Sequence, residues 1–229
     1  MKGVLVLTAI DVEARGLARH LGVARVEASD WPHYRGGVLE VMSVGLRGSA
    51  LDARAGVARR PSLVVSAGTC GALDPDLAEG DVVVPEVVLT EEGPRAPTDP
   101  LPGLARVGAL LTLRGMADTP ARKARLWMET GALAVDLESA IILEWARARG
   151  LPAAVVRGVS DSAGRALPAD LAAVVDPDGR VRTSRAVRAA LARPRALGDA
   201  LALRRGTSAA LANVAAALAR IARAARASV

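Results

Sequence analysis

SLVVSAGTCGAL, residues 62–73, runs from an unbroken apolar stretch directly into a turn of small residues. Residues 63–66 show no alternation of apolar and polar positions, so as a strand they must be buried on both faces. That is the environment of a parallel sheet covered by helices on each side. The small-residue turn read at residues 66–73 stands where such a strand ends, and in open α/β sheets ligands bind beyond those ends. Gly68 and Gly71 let backbone amides approach a ligand, and Thr69 adds a hydroxyl. A plain tight turn would have the same composition.

Similar runs lie at residues 4–7, 38–43, 82–89, 109–113, 132–135 and 153–157. Helical patterns separate them at about 11–21, 48–59, 120–130 and 138–149. This alternation predicts an α/β fold, a mixed but mostly parallel sheet flanked by helices in three layers. Thr119 with Pro120 starts the third helix, and Gly150 with Pro152 stops the fourth. Residues 91–103, EEGPRAPTDPLPG, read as a Pro-rich loop. Past Ala163 the strand pattern ends. Leu197, Leu201, Leu211, Val214, Leu218 and Ile221 recur at helical spacing, and Gly206 with Thr207 and Ser208 reads as a break followed by a new helix. The expected organisation is a catalytic domain over 1–165 and a helical, Arg-rich extension over 166–229, packed on it or beside it.

With 229 residues the chain can bury a full core, but it has no Phe, one Tyr (Tyr34) and three Trp (Trp31, Trp127, Trp145). Val, Leu, Ile and Ala must fill that core. No apolar run approaches the roughly 20 residues that span a bilayer, and no signal-peptide pattern opens the chain, so a cytoplasmic location is expected. One cysteine, Cys70, and two histidines, His20 and His33, are too few for a Cys- or His-based metal centre. Neither a metal nor another cofactor is expected. The net charge of +6 is uneven: residues 180–229 hold eleven Arg against one acid, Asp199. Such a tail can meet anionic lipid or an acidic neighbouring subunit. Composition bias also contributes, since 28 of the 30 basic residues are Arg. Nucleic acid is set aside for want of stacking aromatics and a docking motif.

Polar residues just after apolar runs occur in four places. TAIDVEA, residues 8–14, presents Thr8, Asp11 and Glu13; residues 66–73 present Thr69 between Gly68 and Gly71; AVDLESA, residues 134–140, presents Glu138; and VVRGVSDSAG, residues 155–164, presents Ser160 and Asp161. Ordinary first-turn carboxylates and helix caps would account for the acids one at a time. Their joint position after successive strands argues for one site.

AGTCGAL followed by GDVVVP (residues 80–85), then AVDLES and PAAVVRGVSDSAG, resembles the superfamily of purine nucleoside phosphorylases and methylthioadenosine/adenosylhomocysteine nucleosidases over residues 2–165. Within it the chain is most similar to the hopanoid-associated phosphorylase branch, whose tail has the form of residues 176–205 here. The resemblance implies Asp161 as general acid at purine N7, oriented by Ser160. It implies Glu138 with Leu137 around the ribose, Glu13 near an attacking water, and Thr69, with Ala67 and Gly68, facing the nucleophile. To act, Asp161 must hold a proton, which a carboxyl does near neutrality only when desolvated or beside another carboxylate. Burial after a central strand would supply the first condition.

The chain also departs from the family pattern. Phosphorolytic relatives carry arginines where this chain has Ser66 and Glu13, which favours water as the nucleophile, with Arg47 and Arg157 as alternative cations for a phosphate co-substrate. The aromatic that stacks on the base is replaced in strand ALLTL by Leu111, leaving Trp31, Tyr34 or Trp127 to stack. The resemblance thus implies a nucleosidase acting on a purine nucleoside, of the 5′-substituted adenosine type. A phosphorylase acting on a hopanoid-linked or other purine nucleoside is one alternative, and a non-catalytic nucleoside-binding or membrane-surface protein is the other. A homo-oligomer, dimer or hexamer, is implied as well.

Overall fold

In the computed structural model, which describes residues 3–93, 95–167, 176–180 and 196–227, β1 (Gly3–Thr8) sends alternate side chains into two separate cores. Val4 and Val6 pack with Val65 and Val156 beneath α1 (Asp11–Leu21) and the C-terminal helix α5 (Ala196–Ala227). Leu5 and Leu7 point the other way, with Val64 and Val155, toward α2 (Leu51–Ala55) and α4 (Ser139–Arg147). Two-sided burial of this kind makes three layers, and it explains why apolar and polar positions do not alternate along these strands.

The other strands are β2 (Ala24–Arg25), β3 (His33–Gly36), β4 (Leu39–Ser43), β5 (Pro61–Ala72), β6 (Val82–Val83), β7 (Val87–Thr90), β8 (Arg95–Pro97), β9 (Ala109–Thr112), β10 (Ala134–Asp136) and β11 (Ala153–Asp161), with α3 at Pro120–Thr130. The sheet order is β2-β3-β4-β1-β5-β10-β9-β7-β8, and β11 pairs with β5 and β6. The organising strand is β5. Its first half lies parallel to β1, its end runs antiparallel to β10, and β11 follows its other edge in parallel.

The apolar run at 63–66 does not end in a turn. β5 continues through Ala72, because the small residues bend at Gly68 (φ 148°) without leaving the ladder to β11. The run at 82–89 splits in two around Pro85, which has no N–H for a ladder. The loop at 91–103 contains β8, an edge strand where Pro97 is tolerated. The helix expected at 48–59 shrinks to α2, since Gly48 is left-handed (φ 67°). β2 and β3, short and polar, were not legible as strands. α3 starts as its sequence signals: Thr119 accepts a hydrogen bond from the Arg122 N–H at 3.2 Å.

Gly206 does not break the tail. α5 runs through it, and a Cβ there would stand 2.3 Å from the Ser160 carbonyl oxygen, so glycine permits the helix to cross the end of β11. Leu211, Val214, Leu218 and Ile221 lie in the core, leaving Arg205, Arg220, Arg223 and Arg226 exposed. No helix among the described residues is long and apolar enough to cross a membrane. The side chains of Leu197 and Leu201, and residues 181–195 of the stretch that carries the narrower resemblance, lie outside the described residues. The turn at 176–180 is described: Gly179 O accepts from Asp11 N and Pro177 O from Leu46 N, tying the chain back to the ends of β1 and β4.

Candidate active site

The carboxyl ends of β1, β5, β10 and β11 surround a cavity of about 430 Å³. Glu13, Thr69, Leu137, Glu138, Ser160 and Asp161 all reach its wall. Ala67 and Leu111 do not. β5 turns Ala67 into the core beneath α1 and α5, and Leu111 is buried with Leu73, Leu113 and Val135. Gly68 serves from behind: a Cβ there would stand 2.7 Å from Glu13 Oε1 and 2.8 Å from Arg157 Nη1. A smaller cavity of about 160 Å³ lies at the amino end of β1, away from this chemistry.

Glu13 closes on its own helix and on β5 together. Its Oε2 accepts from Ala9 N and Ile10 N at 3.2 and 3.3 Å, and its Oε1 accepts from Thr69 N and Thr69 Oγ1 at 2.7 and 2.8 Å. It is therefore a first-turn helix carboxylate and a cavity residue at once. Four donors occupy the carboxylate, so a water gains an acceptor there when the Thr69 hydroxyl rotates away.

Behind Glu13 lies a charge cluster that sequence reasoning did not assemble. Arg157, fully buried on β11, places Nη2 2.7 Å from Asp136 Oδ2, 2.8 Å from Ser66 Oγ and 3.1 Å from Ser139 Oγ. Asp136 Oδ1 accepts from Thr112 Oγ1 at 2.7 Å. Burial works against the charge of Arg157, but Asp136, Glu13 and Glu138 outweigh it. Its guanidinium is thus committed and is not a free cation for phosphate. Arg47 does line the cavity; its side chain donates to Arg114 O at 3.0 Å on the rim. Asp136 was legible only as part of VDLES, with no cue to its partner.

Glu138, at the N-cap position of α4, accepts from Arg47 N at 3.0 Å. Burial first and Asp136 second push its carboxyl up to about 8 from an ordinary 4.5, with Arg157 and the Arg47 N–H opposing. The folded protein then keeps a proton that the unfolded chain has lost, so stability is present at low pH and falls as pH climbs between those two values. Glu138→Gln keeps the acceptor and cannot ionise. Its melting temperature should rise by several degrees relative to the parent between about pH 5 and pH 9, on the order of 4 kcal/mol over the whole window. Parallel melting curves against pH for the two proteins would rule this out.

Asp161 Oδ1 accepts from Ser160 Oγ at 2.7 Å, and the same hydroxyl lies 3.1 Å from Cys70 O. The carboxyl is buried, as its place after a central strand implies. Its charged neighbour, however, is no carboxylate: Lys123 Nζ stands 2.5 Å from Oδ2. The sequence held one unused cue to it. Lys123 is one of two lysines among thirty basic residues. Cys70 also borders the cavity, but burial pushes its thiol far up, leaving it an inert group.

None of the described lining residues is aromatic; Ile10, Met116, Val135, Leu137 and Leu167 supply the apolar wall. Trp31 lies under the Arg54 guanidinium, Tyr34 packs on the core below α1, and Trp127 is exposed on α3, so none of the three stacks on a ligand here. Among the described residues no group of three or more His, Cys, Asp or Glu is arranged to hold a metal ion.

The family model of the phosphorylase superfamily matches residues 50–107 and 103–193. No curated protein matches the chain. Solved structures share its fold over almost the whole length. Futalosine hydrolase of Helicobacter pylori is 15% identical with a TM-score of 0.68, covering 96% of this chain and 97% of that one. The MTAN of Chlamydia trachomatis bound to adenine is 18% identical with a TM-score of 0.65, covering 98% and 99%. The 5′-methylthioadenosine nucleosidase of Arabidopsis thaliana is 18% identical with a TM-score of 0.66, covering 96% of each. At such identities the likeness establishes the fold, and these coverages include α5.

Proposed function

The chain belongs to the phosphorylase superfamily, and on that premise we propose that it hydrolyses the N-glycosidic bond of a purine nucleoside of the 5′-substituted adenosine type. The observation that carries this reading is the pairing of Asp161 with Glu13 and Glu138 on one cavity. Cleavage builds positive charge on the sugar ring and negative charge on the departing base. Asp161 supplies a proton to N7 of the base, with Ser160 setting the carboxyl's orientation. Glu138 holds the ribose hydroxyls, and Glu13 with Thr69 aligns the attacking water and takes its proton.

Electrostatics favours water over phosphate. Arg157, the guanidinium nearest Glu13, is already paired with Asp136, so a phosphate dianion would meet the Glu13 carboxylate with no free buried cation among the described residues to offset it. The cavity volume suits a nucleoside, and its aliphatic walls suit an uncharged 5′ group. Nucleosidases of this fold named for 5′-methylthioadenosine support that choice.

The test is release of free base from adenosine, methylthioadenosine and a bulkier apolar 5′-substituted adenosine, with and without phosphate. The expected products are free base and free sugar, at rates that phosphate alters by less than about twofold. Sugar phosphate appearing only with phosphate present would establish the phosphorolytic reading, in which Arg47 and Arg114 on the rim would have to turn inward.

A further inference from the structure

Lys123 has no role in the mechanism above, yet its surroundings are specific. Its side chain is wholly buried, and its ammonium donates to Asp161 Oδ2 at 2.5 Å, Ser162 O at 2.8 Å and Arg165 O at 3.0 Å. Three acceptors match the three protons of an ammonium. Gly71 gives the pair room, since a Cβ there would come within 3.0 Å of Asp161 Oδ2. Nearby, Arg165 pairs with Glu79 rather than with Asp161. The chain uses arginine at 28 of its 30 basic positions, and Lys123 is the only lysine among the described residues. An arginine would also hold a carboxylate, but it does not give up a proton, whereas a buried lysine can.

We propose that Lys123 is the source of the proton that Asp161 delivers to the leaving base. This rests on the nucleosidase reading and adds to it where the proton comes from. In the resting pair the ammonium faces the carboxylate. As the base docks, the Nζ–H bond breaks and an O–H bond forms at Oδ2. As the C1′–N9 bond breaks, its electron pair passes into the purine, and the proton moves from Oδ2 to N7. The base leaves neutral, Asp161 is again a carboxylate, and Lys123 is a neutral amine. The attacking water loses its proton to Glu13. After product release, water in the cavity returns a proton to Lys123 through Asp161 and takes one from Glu13. Lys123 touches no substrate atom; it acts through Asp161.

The experiment uses two substrates that differ in their need for that proton: methylthioadenosine and 4-nitrophenyl riboside, whose nitrophenolate departs without protonation. Lys123→Met should lower kcat on the purine nucleoside by about 100-fold or more, with KM within about threefold, and leave nitrophenyl riboside turnover within about threefold of the parent. For a packing defect severe enough to prevent folding, Lys123→Ala is assayed with added amines. Methylamine should restore purine cleavage, and tetramethylammonium, which has charge but no proton, should not. Equal loss on both substrates, unchanged purine cleavage by Lys123→Met, or equal rescue by both cations would overturn the proposal. Parent protein inert toward every purine nucleoside would overturn the nucleosidase reading, and this inference with it.

Discussion

Asp161→Asn is expected to lower kcat for base release by about 10²- to 10⁴-fold, the usual contribution of a positioned general acid. The substitution should spare the fold, for reasons visible in the hydrogen bonds. The Asn carbonyl can still accept from Lys123 Nζ, whose other two acceptors, Ser162 O and Arg165 O, remain. The amide can donate to Ser160 Oγ, which then turns its own hydrogen to Cys70 O. The lysine's charge is left uncompensated, so a modest fall in melting temperature should accompany the kinetic loss. KM should change little, because the proton passes to N7 only as the glycosidic bond breaks. Steady-state kinetics together with a thermal melt decide the matter: a folded variant with kcat within tenfold of the parent removes Asp161 from the proton-donor role.

The second large effect concerns stability. Arg157→Met should cost about 3–5 kcal/mol, because it leaves Asp136 charged without its cation in a side chain that is almost fully buried. For a protein of this size that corresponds to a fall in melting temperature of roughly 8–15 °C. Ser66 and Ser139 lose a donor as well, and Glu13 loses the nearby cation that offsets it. A second change, Asp136→Asn, should recover part of the loss by removing the stranded charge, while Asp136→Asn alone destabilises. Losses that simply add in the double variant would mean that the two side chains are not coupled, contrary to their 2.7 Å contact.

The sequence and the structure agree most closely where local chemistry suffices. Pro120–Thr130 is a helix with both ends written locally, Thr119 as a cap and Gly131 in the left-handed region. The unalternating runs of β1, β5 and β11 announce strands covered on both faces, and they are covered. Their carboxyl ends, with that of β10, also marked where Glu13, Thr69, Glu138 and Asp161 would be found. The misreadings have a common form. Gly68 and Gly206 read as a turn and a break, because glycine marks either a bend or a close approach, and only the neighbouring element tells which. At Gly68 the neighbours are Glu13 and Arg157; at Gly206 the neighbour is the Ser160 carbonyl.

What the amino-acid order determined by itself, then, is the layering of the chain and the strand ends at which its carboxylates stand. Hydrophobic periodicity and capping act over a few residues and can be read there. Which charges meet was decided only in three dimensions. Lys123 and Asp161 are 38 positions apart, and Arg157 and Asp136 come from different strands, so no local pattern records either contact. Both pairs exist because folding removes water from those groups together, and a buried charge must then find its partner wherever the chain brings one.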